Sequence, residues 1–567
     1  LHAVVAIGMS CVCHARPALA EENSGAAELI RAQIAAGEFA PARRLAEQAT
    51  DRGQHDAWLG QISRAQSQAG ARSASLGTAA EIYDDRARSS AITENPPAGG
   101  ARGGAQAADF ASLIELITTT IAPTSWDETG GPGAIHEFRG GVFVDAEGVL
   151  RPLLKKDHDD ALASLHRAAL AAGRNQNARR QSELRKVSLT RLEKQVQLLA
   201  AAGRAPTEEM AMLAGLEKIS YVLVYPDSGD IVLAGPADNW QTNGEGRLVA
   251  QTSGRPVLQL DDFVVILRHL LSGRQAQFGC SITPTEKGLA STQAFLDESK
   301  KTPLKPGTRE AWLKQLREHM GRQEITVDGI DPRTRAGRVL VEADYHMKLI
   351  GMGLADGTPG VKDYLSQVQV PKGGSPPPMD VLRWWFTLNY EAVRSTEQRD
   401  AFELRGQGVQ VLSENELLTA LGKRVHTGKS DALNSEFAQS FTKHFPALAT
   451  KYPVYAELRN LFDMALVCAL IKAEDLGEHS GWHMTCFRDP KQYRVTLGPA
   501  PRTVETVVNH RVINRVHVIA GVSGGVSVDP WSYVEPSAVK IDDYGALKAQ
   551  RKTSVPTNLA KNAWWWD

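Results

Sequence analysis

Between Leu113 and Ile135 the chain reads LIELITTTIAPTSWDETGGPGAI, and no other stretch restricts the fold as tightly. An apolar, β-branched run meets a Pro-Thr-Ser-Trp-Asp corner and then a Gly-Gly-Pro-Gly turn. Proline and glycine break regular structure there, so the pattern predicts a short helix delivered into a tight bend and then a strand. Trp126, Asp127 and Glu128 are explained as turn residues beside that Gly-rich corner. At 567 residues the chain has room for roughly three or four domains, so this segment is one joint among several.

Charge narrows the partners. The 64 basic and 65 acidic residues leave a formal net charge of −1. Nucleic acids and anionic membranes normally require a one-sided balance, so neither is expected as a partner. Five cysteines occur. Cys11 and Cys13 fall in the leader, and Cys280, Cys468 and Cys486 remain. These give three buried thiols, or one disulfide and a leftover thiol, but no disulfide framework.

The beginning reads as an export signal over residues 1–20. Ala3 to Val12 is a short apolar core, and Ala18-Leu19-Ala20 is an A-x-A cleavage site. A basic n-region is missing, since Leu1-His2 alone precede the core. Gly8-Met9-Ser10-Cys11 is a poor lipobox, and Cys11-Val12-Cys13-His14 lacks the two-residue spacer of a covalent haem site. The mature protein is therefore expected in the periplasm or outside the cell. The most apolar helix, Leu461 to Ile471, is about half the length a bilayer requires and carries Asp463, so no transmembrane helix is expected.

Residues 24–92 are Ala-rich and helical. Phe39 to Trp58 is echoed from Ser75 to Ile92 at an offset of roughly 34 residues, the length of a helix–turn–helix repeat. The echo resembles the tetratricopeptide class, although an Ala-rich bundle accounts for it equally. One and a half repeats cannot stand alone, so the segment must pack on something else. Residues 93–108, rich in Pro and Gly, form a linker. Residues 109–150 make a small α/β module with a strand at Gly141–Val144. Residues 151–217 form a helical connector: Leu189, Leu192, Val196 and Leu199 make one apolar stripe. The basic residues around it are expected to be a solvated face.

From Ile219 the pattern turns to strand. Tyr221–Tyr225, a Pro-Asp-Ser-Gly-Asp turn and Ile231–Ala234 predict a β-hairpin. Asp261 is expected to cap a helix through Leu271. Phe278–Ile282 is expected as a strand with a helix after Pro284, and Arg338–Ala343 as another strand. Strands are also expected at Leu382–Phe386, Phe402–Leu404 and Val409–Val411. Two helices are expected over 432–474, and Val504–Val528 is strand-rich. The α+β core thus spans 218–535, and residues 536–567 are read as a flexible tail ending in Trp564-Trp565-Trp566. In the Trp384-Trp385 strand one indole is expected in the core and the other on a contact surface.

Six segments, taken together, carry a resemblance: TSWDETGGPGAI (124–135), YVLVYPDSGDIVLAGPADNW (221–240), RVLVEADYHMKLIGMGL (338–354), RWWFTLNYEAV (383–393), GQGVQVLSE (406–414) and SGGVSVDPW (523–531). In this order they resemble the exported family abundant in planctomycete bacteria catalogued as domain of unknown function 1598. The likeness covers roughly residues 110 to 535. The opening segment is similar to the short α/β docking module of secretins and TonB-type receptors. The family implies no activity, cofactor or catalytic residue. His346 departs from it, standing where Arg is expected.

Several local patterns mimic chemistry. His479 and His483 are four apart, and Cys486 follows, which makes a candidate metal set. Gly481 between the histidines disfavours the helix that would align them, and Glu478 is in the wrong order for a metalloprotease. Glu342, Asp344 and His346 alternate along the expected strand and would share one face, as an acid–base set or a polar patch. Gly521-Val522-Ser523-Gly524-Gly525 meets the Gly-x-Ser-x-Gly pattern, but strand rather than helix follows, so a bulge or turn competes with a nucleophile. Gly422 to Ser430 imitates a phosphate loop with a spacer one residue too long, and is set aside.

The sequence therefore predicts a multidomain α+β protein: a helical repeat-like N-terminus, a small α/β module, a helical connector and a large mixed core. No cofactor is implied. The expected role is a non-catalytic envelope interaction or scaffold protein with a protein partner, its oligomeric state open. The alternatives are a hydrolase of envelope or extracellular polymer using Ser523, His479, His483, Asp344 or His346, and a metal-binding protein.

Overall fold

The computed structural model describes residues 17–35, 39–69, 71–93, 134–138, 141–145, 178–273, 276–299, 309–372, 381–418, 423–513, 516–557, 559–560 and 562–567. The helix–corner part of the Leu113–Ile135 segment, the 94–108 linker and the first sixteen residues lie outside them. Of the small α/β module the described part is an antiparallel hairpin, Ala134–Phe138 with Gly141–Asp145.

The N-terminal helices are α1 (Pro17–Ala35), α2 (Phe39–Ala46), α3 (Arg52–Gln68), α4 (Arg72–Ala79) and α5 (Asp85–Thr93). The two halves of the 34-residue echo fall on α2–α3 and on α4–α5. Asp51 caps α3, accepting from the Gln54 amide at 2.8 Å. Trp58, Leu59, Ile62, Ala79, Ile82 and Ala91 are buried together in a small core of their own. Alanine on the facing turns lets these helices approach closely.

Two large sheets build most of the rest, with a small hairpin of Trp240–Thr242 and Leu248–Ala250 beside them, and the protein is α+β. A seven-stranded sheet runs Val539–Ile541, Ala392–Ser395, Ala401–Arg405, Tyr221–Tyr225, Asp230–Ala237, Ser182–Ser188, Trp565–Trp566. The expected hairpin pairs in register, Val222 opposite Leu233 and Val224 opposite Ile231. The eight-stranded sheet runs Arg424–His426, Gly408–Leu418, Val381–Asn389, Val516–Val528, Phe278–Pro284, Gln323–Asp328, Thr503–Val504, with Val508–Ile513 also paired to Val516–Val528.

Helix α6 (Leu189–Ala201) packs on the seven-stranded sheet, and α7 (Leu260–Ser272) packs against a long helix further on. Helix α8 (Glu286–Ser299) follows the Phe278–Pro284 strand, as expected. Helix α9 (Arg335–Gly351) lies on the eight-stranded sheet. Next come α10 (Ala432–Lys443), α11 (Phe445–Lys451) and the long α12 (Pro453–Ala473). Helix α12 is buried almost all round, as its near-continuous apolar sequence requires. Even so, no helix among the described residues is long and apolar enough to cross a membrane. Cys280, Cys468 and Cys486 are buried free thiols.

Several local expectations give way to longer-range packing. Arg338–Ala343 belongs to α9, not to a strand. Thr334 caps that helix through the Gly337 amide at 3.1 Å, and its β-branched residues face the core. Ser182–Ser188, expected within a helical connector, is a strand between Asp230–Ala237 and Trp565–Trp566. The expected pair of helices over 432–474 is three, because Pro446 and Pro453 each start a new helix. Asp261 is inside α7, whose cap residue is Gln259; its carboxylate instead accepts from Tyr493 Oη at 2.7 Å and the Thr496 amide at 3.0 Å. The end of the chain is ordered: Trp564 is buried, Trp565–Trp566 forms an edge strand, and Arg185 stacks over the Trp565 ring at 4.7 Å.

Candidate functional site

The Gly-x-Ser-x-Gly segment is the middle of the Val516–Val528 strand. A side chain at Gly524, whose φ is +148°, would lie 1.6 Å from the Trp384 carbonyl oxygen, and one at Gly525 1.9 Å from that of Cys280. The glycines therefore let three strands close on one another. Ser523 is fully buried and donates to Glu416 Oε2 at 3.0 Å. His426 sits on the far side of the same carboxylate, its Nδ1 3.2 Å from Glu416 Oε1. Carboxylate between serine and imidazole is the wrong order for activating a hydroxyl, since the base must touch Oγ itself.

Asp344 and His346 are on α9, two residues apart on a helix, and so point in different directions. Asp344 pairs with Lys348 at 2.6 Å, and both are fully buried. Burial raises the Asp344 carboxyl to about 6, against the pull of Lys348. His346 meets the Tyr455 hydroxyl at 2.8 Å through Nδ1 and stacks edge-on against Tyr452. Burial first, then Arg247 and Lys451, lower its pKa to about 4. Glu342 joins a separate buried network in which Arg247 and Arg335 hold Glu342, Glu457 and Asp262.

His479 lines a cleft, and His483 sits behind its wall against the cleft residues Asp84 and Asp85, so the two histidines do not share a helix face. Helix α13 (Leu476–His479) stops at His479. Gly481 then takes φ +63°, and Met484 takes φ +58° before α14 (Thr485–Arg488) begins. A bulky residue in the left-handed region is a strained conformation that its surroundings must hold. Cys486 is buried in α14, its thiol pushed up by burial, and it is not among the ligand-type atoms gathered at His483.

The cleft has a volume of about 690 Å³ and opens between α3–α5 on one side and α6, the 226–230 turn and the 479–482 loop on the other. Asp56 builds its N-terminal wall: its carboxylate accepts from the Tyr83 amide at 2.9 Å and the Asp84 amide at 2.6 Å. That fixes the turn that starts α5. Asp84 Oδ1 then accepts from the Ala87 amide at 2.8 Å, leaving Oδ2 free to face His483 Nε2 at 3.3 Å. Asp85 crosses to the other wall, where Oδ2 accepts from the His483 amide at 2.9 Å and the Thr485 amide at 3.3 Å.

Arg88 completes the docking. It is buried, donates to Gln197 Oε1 on α6 at 3.0 Å and to the Ile82 carbonyl at 3.0 Å. Beside it Glu193 accepts from the Phe487 amide at 2.6 Å and from the Trp482 indole. Burial raises the Glu193 carboxyl to about 7. On the floor, Arg191 grips Asp230 with two bonds of 2.7 and 3.0 Å. Lys194 lines the same wall, and burial, then Arg88 and Arg191, lower its amine to about 7. At the rim Arg52 stacks on the exposed Tyr83 ring at 5.3 Å.

Sequence reasoning found the histidines and missed Asp84, Asp85, Arg88 and Lys194. The signal that an acid pair starts a helix was present in Tyr83-Asp84-Asp85, but its partner lies 398 positions away.

Residues 280–364 match a family model described as a protein of unknown function, DUF1598. No curated protein and no solved structure matches the chain. The matched stretch runs from the Phe278–Pro284 strand through α9 and carries Asp344 and His346. None of its residues lines the cleft.

Proposed function

We infer that this is an exported, non-catalytic interaction protein of the cell envelope, which recognises its partner at the cleft between the helical N-terminus and the α+β core. The observation carrying this reading is the two-sided construction of the cleft: Arg52, Tyr83 and Arg88 come from the helices, and Lys194, Asp230 and His479 from the core. Such a groove of mixed charge with an exposed aromatic rim suits a polar protein segment. The separation of the candidate catalytic groups supports the same reading. Ser523 is inside a sheet, Asp344 is locked to Lys348, and His346 is held by tyrosines. The export-type leader, the repeat-like helices and the likeness of residues 109–150 to secretin docking modules are the grounds for placing it in the envelope. The resemblance beyond the matched 280–364 stretch extends this reading to a planctomycete-type family.

Pull-down from envelope fractions, with mass photometry of the eluate, tests it. The native chain is expected to retain a defined partner, and Arg52→Ala/Tyr83→Ala, a rim variant outside any core, to lose it. A strictly monomeric protein with nothing retained, or equal retention by the variant, overturns the reading.

A further inference from the structure

We propose that Asp84, Asp85 and His483 bind a divalent cation of the zinc or manganese type, which pins the helical N-terminus to the core at the edge of the cleft. One ligand-type atom from each of the three lies within 4.8 Å of the other two. His483 Nε2 is 3.3 Å from Asp84 Oδ2 and 4.0 Å from Asp85 Oδ1. Metal–ligand bonds of about 2.0–2.2 Å separate neighbouring ligand atoms by roughly 3 to 3.6 Å, so the first pair is already spaced as co-ligands and the second is slightly open.

An independent observation points to a missing positive charge. Asp85 is buried to 2 % exposure, and its Oδ1 has no hydrogen-bond partner among the described residues. Every donor that Asp85 receives goes to the other oxygen, Oδ2, or to its backbone carbonyl. A buried carboxylate oxygen without a partner is unfavourable unless a cation or donor meets it. Arg88 is close but spends its hydrogen bonds on Gln197, Ile82 and Tyr83, all neutral acceptors. Glu478 places a third carboxylate 3.5 Å from His483 Nδ1, within ion-pair range but without a hydrogen bond. Two carboxylates and one imidazole suit borderline and harder divalent ions rather than soft ones.

A second such group among the described residues sharpens the choice. Glu414, Glu416 and His426 also converge. There Arg383 lies 2.9 Å from Glu414 and Arg424 3.0 Å from Glu416, so the negative charge is already met. The site at His483 has no cationic side chain in ion-pair contact with its carboxylates among the described residues. It stands apart from the partner reading, since the ion would order the cleft whether or not a protein enters it.

The test is cobalt titration of chelator-stripped full-length protein, read by visible absorption, with zinc competition and thermal melting. The expected result is one equivalent of cobalt, displaced by zinc, and a higher melting temperature with metal. His483→Ala and Asp84→Asn, the latter able to keep the α5 cap, are expected to weaken binding by at least tenfold with unchanged circular dichroism. His479→Ala and His426→Ala are expected to bind as the native chain does. No stoichiometric cobalt uptake, unchanged uptake in both ligand variants, or loss confined to His426→Ala overturns the proposal.

Discussion

At the scale of single residues, burial decides what each group can do. Gly524 has a backbone oxygen where a methyl would go, so Gly524→Ala is expected to lose more than about 3 kcal/mol in urea unfolding, among the larger single-site effects. Gly481 has φ +63° and open space around it, so Gly481→Ala is expected to lose about 1–2 kcal/mol from backbone strain alone. His346 gives a pH signature. Its folded pKa of about 4 lies below the 6.5 of a free imidazole. The stability it contributes is therefore present above pH 6.5 and lost as pH falls through 4. Native protein should lose up to about 3 kcal/mol relative to His346→Gln across that window, followed by urea unfolding at stepped pH. A difference that does not vary with pH would show that the imidazole is not held neutral. Asp344 behaves oppositely: with its carboxyl raised to about 6, its contribution is present below pH 3.8 and lost as pH rises through 6.

At the scale of elements, what was legible depended on how local the cause is. The 221–234 hairpin is written in its own residues, apolar alternation flanking a Pro-Asp-Ser-Gly turn, and it pairs as expected. Helix α9 departs from the expected strand because Val339, Val341 and Glu342 look like a strand locally. Its helical state depends on the Thr334 cap and on burial against a sheet drawn from distant sequence. The terminal tryptophans look loose in sequence because their partner strand, Ser182–Ser188, lies about two-thirds of the chain away. Deleting residues 563–567 is expected to uncover that edge and leave Arg185 without its Asp567 partner, costing about 2–4 kcal/mol and promoting association. Guanidinium unfolding with light scattering measures both. Arg88→Ala is expected to release the N-terminal helices: amide exchange should accelerate across α2–α5 while α12 stays protected. Equal acceleration throughout would mean the helices and core unfold as one unit.

At the scale of the whole molecule, the described helical N-terminus and the α+β core are two assemblies joined at a polar seam. The helices form a small apolar core of their own, and the two sheets share a far larger one. Between them the contacts are hydrogen bonds and charges: Asp85 to the His483 and Thr485 amides, Arg88 to Gln197. The class of the fold could be read from the order of patterns along the chain. The seam could not, because residues 84–88 and 479–485 carry no mark of one another in sequence. The most direct measurement is hydrogen–deuterium exchange on the complex recovered from envelope fractions, compared with the free protein. The account predicts new protection in α3, α5, α6 and the 226–230 turn. Protection confined to the eight-stranded sheet, or no recovered complex at all, would contradict it.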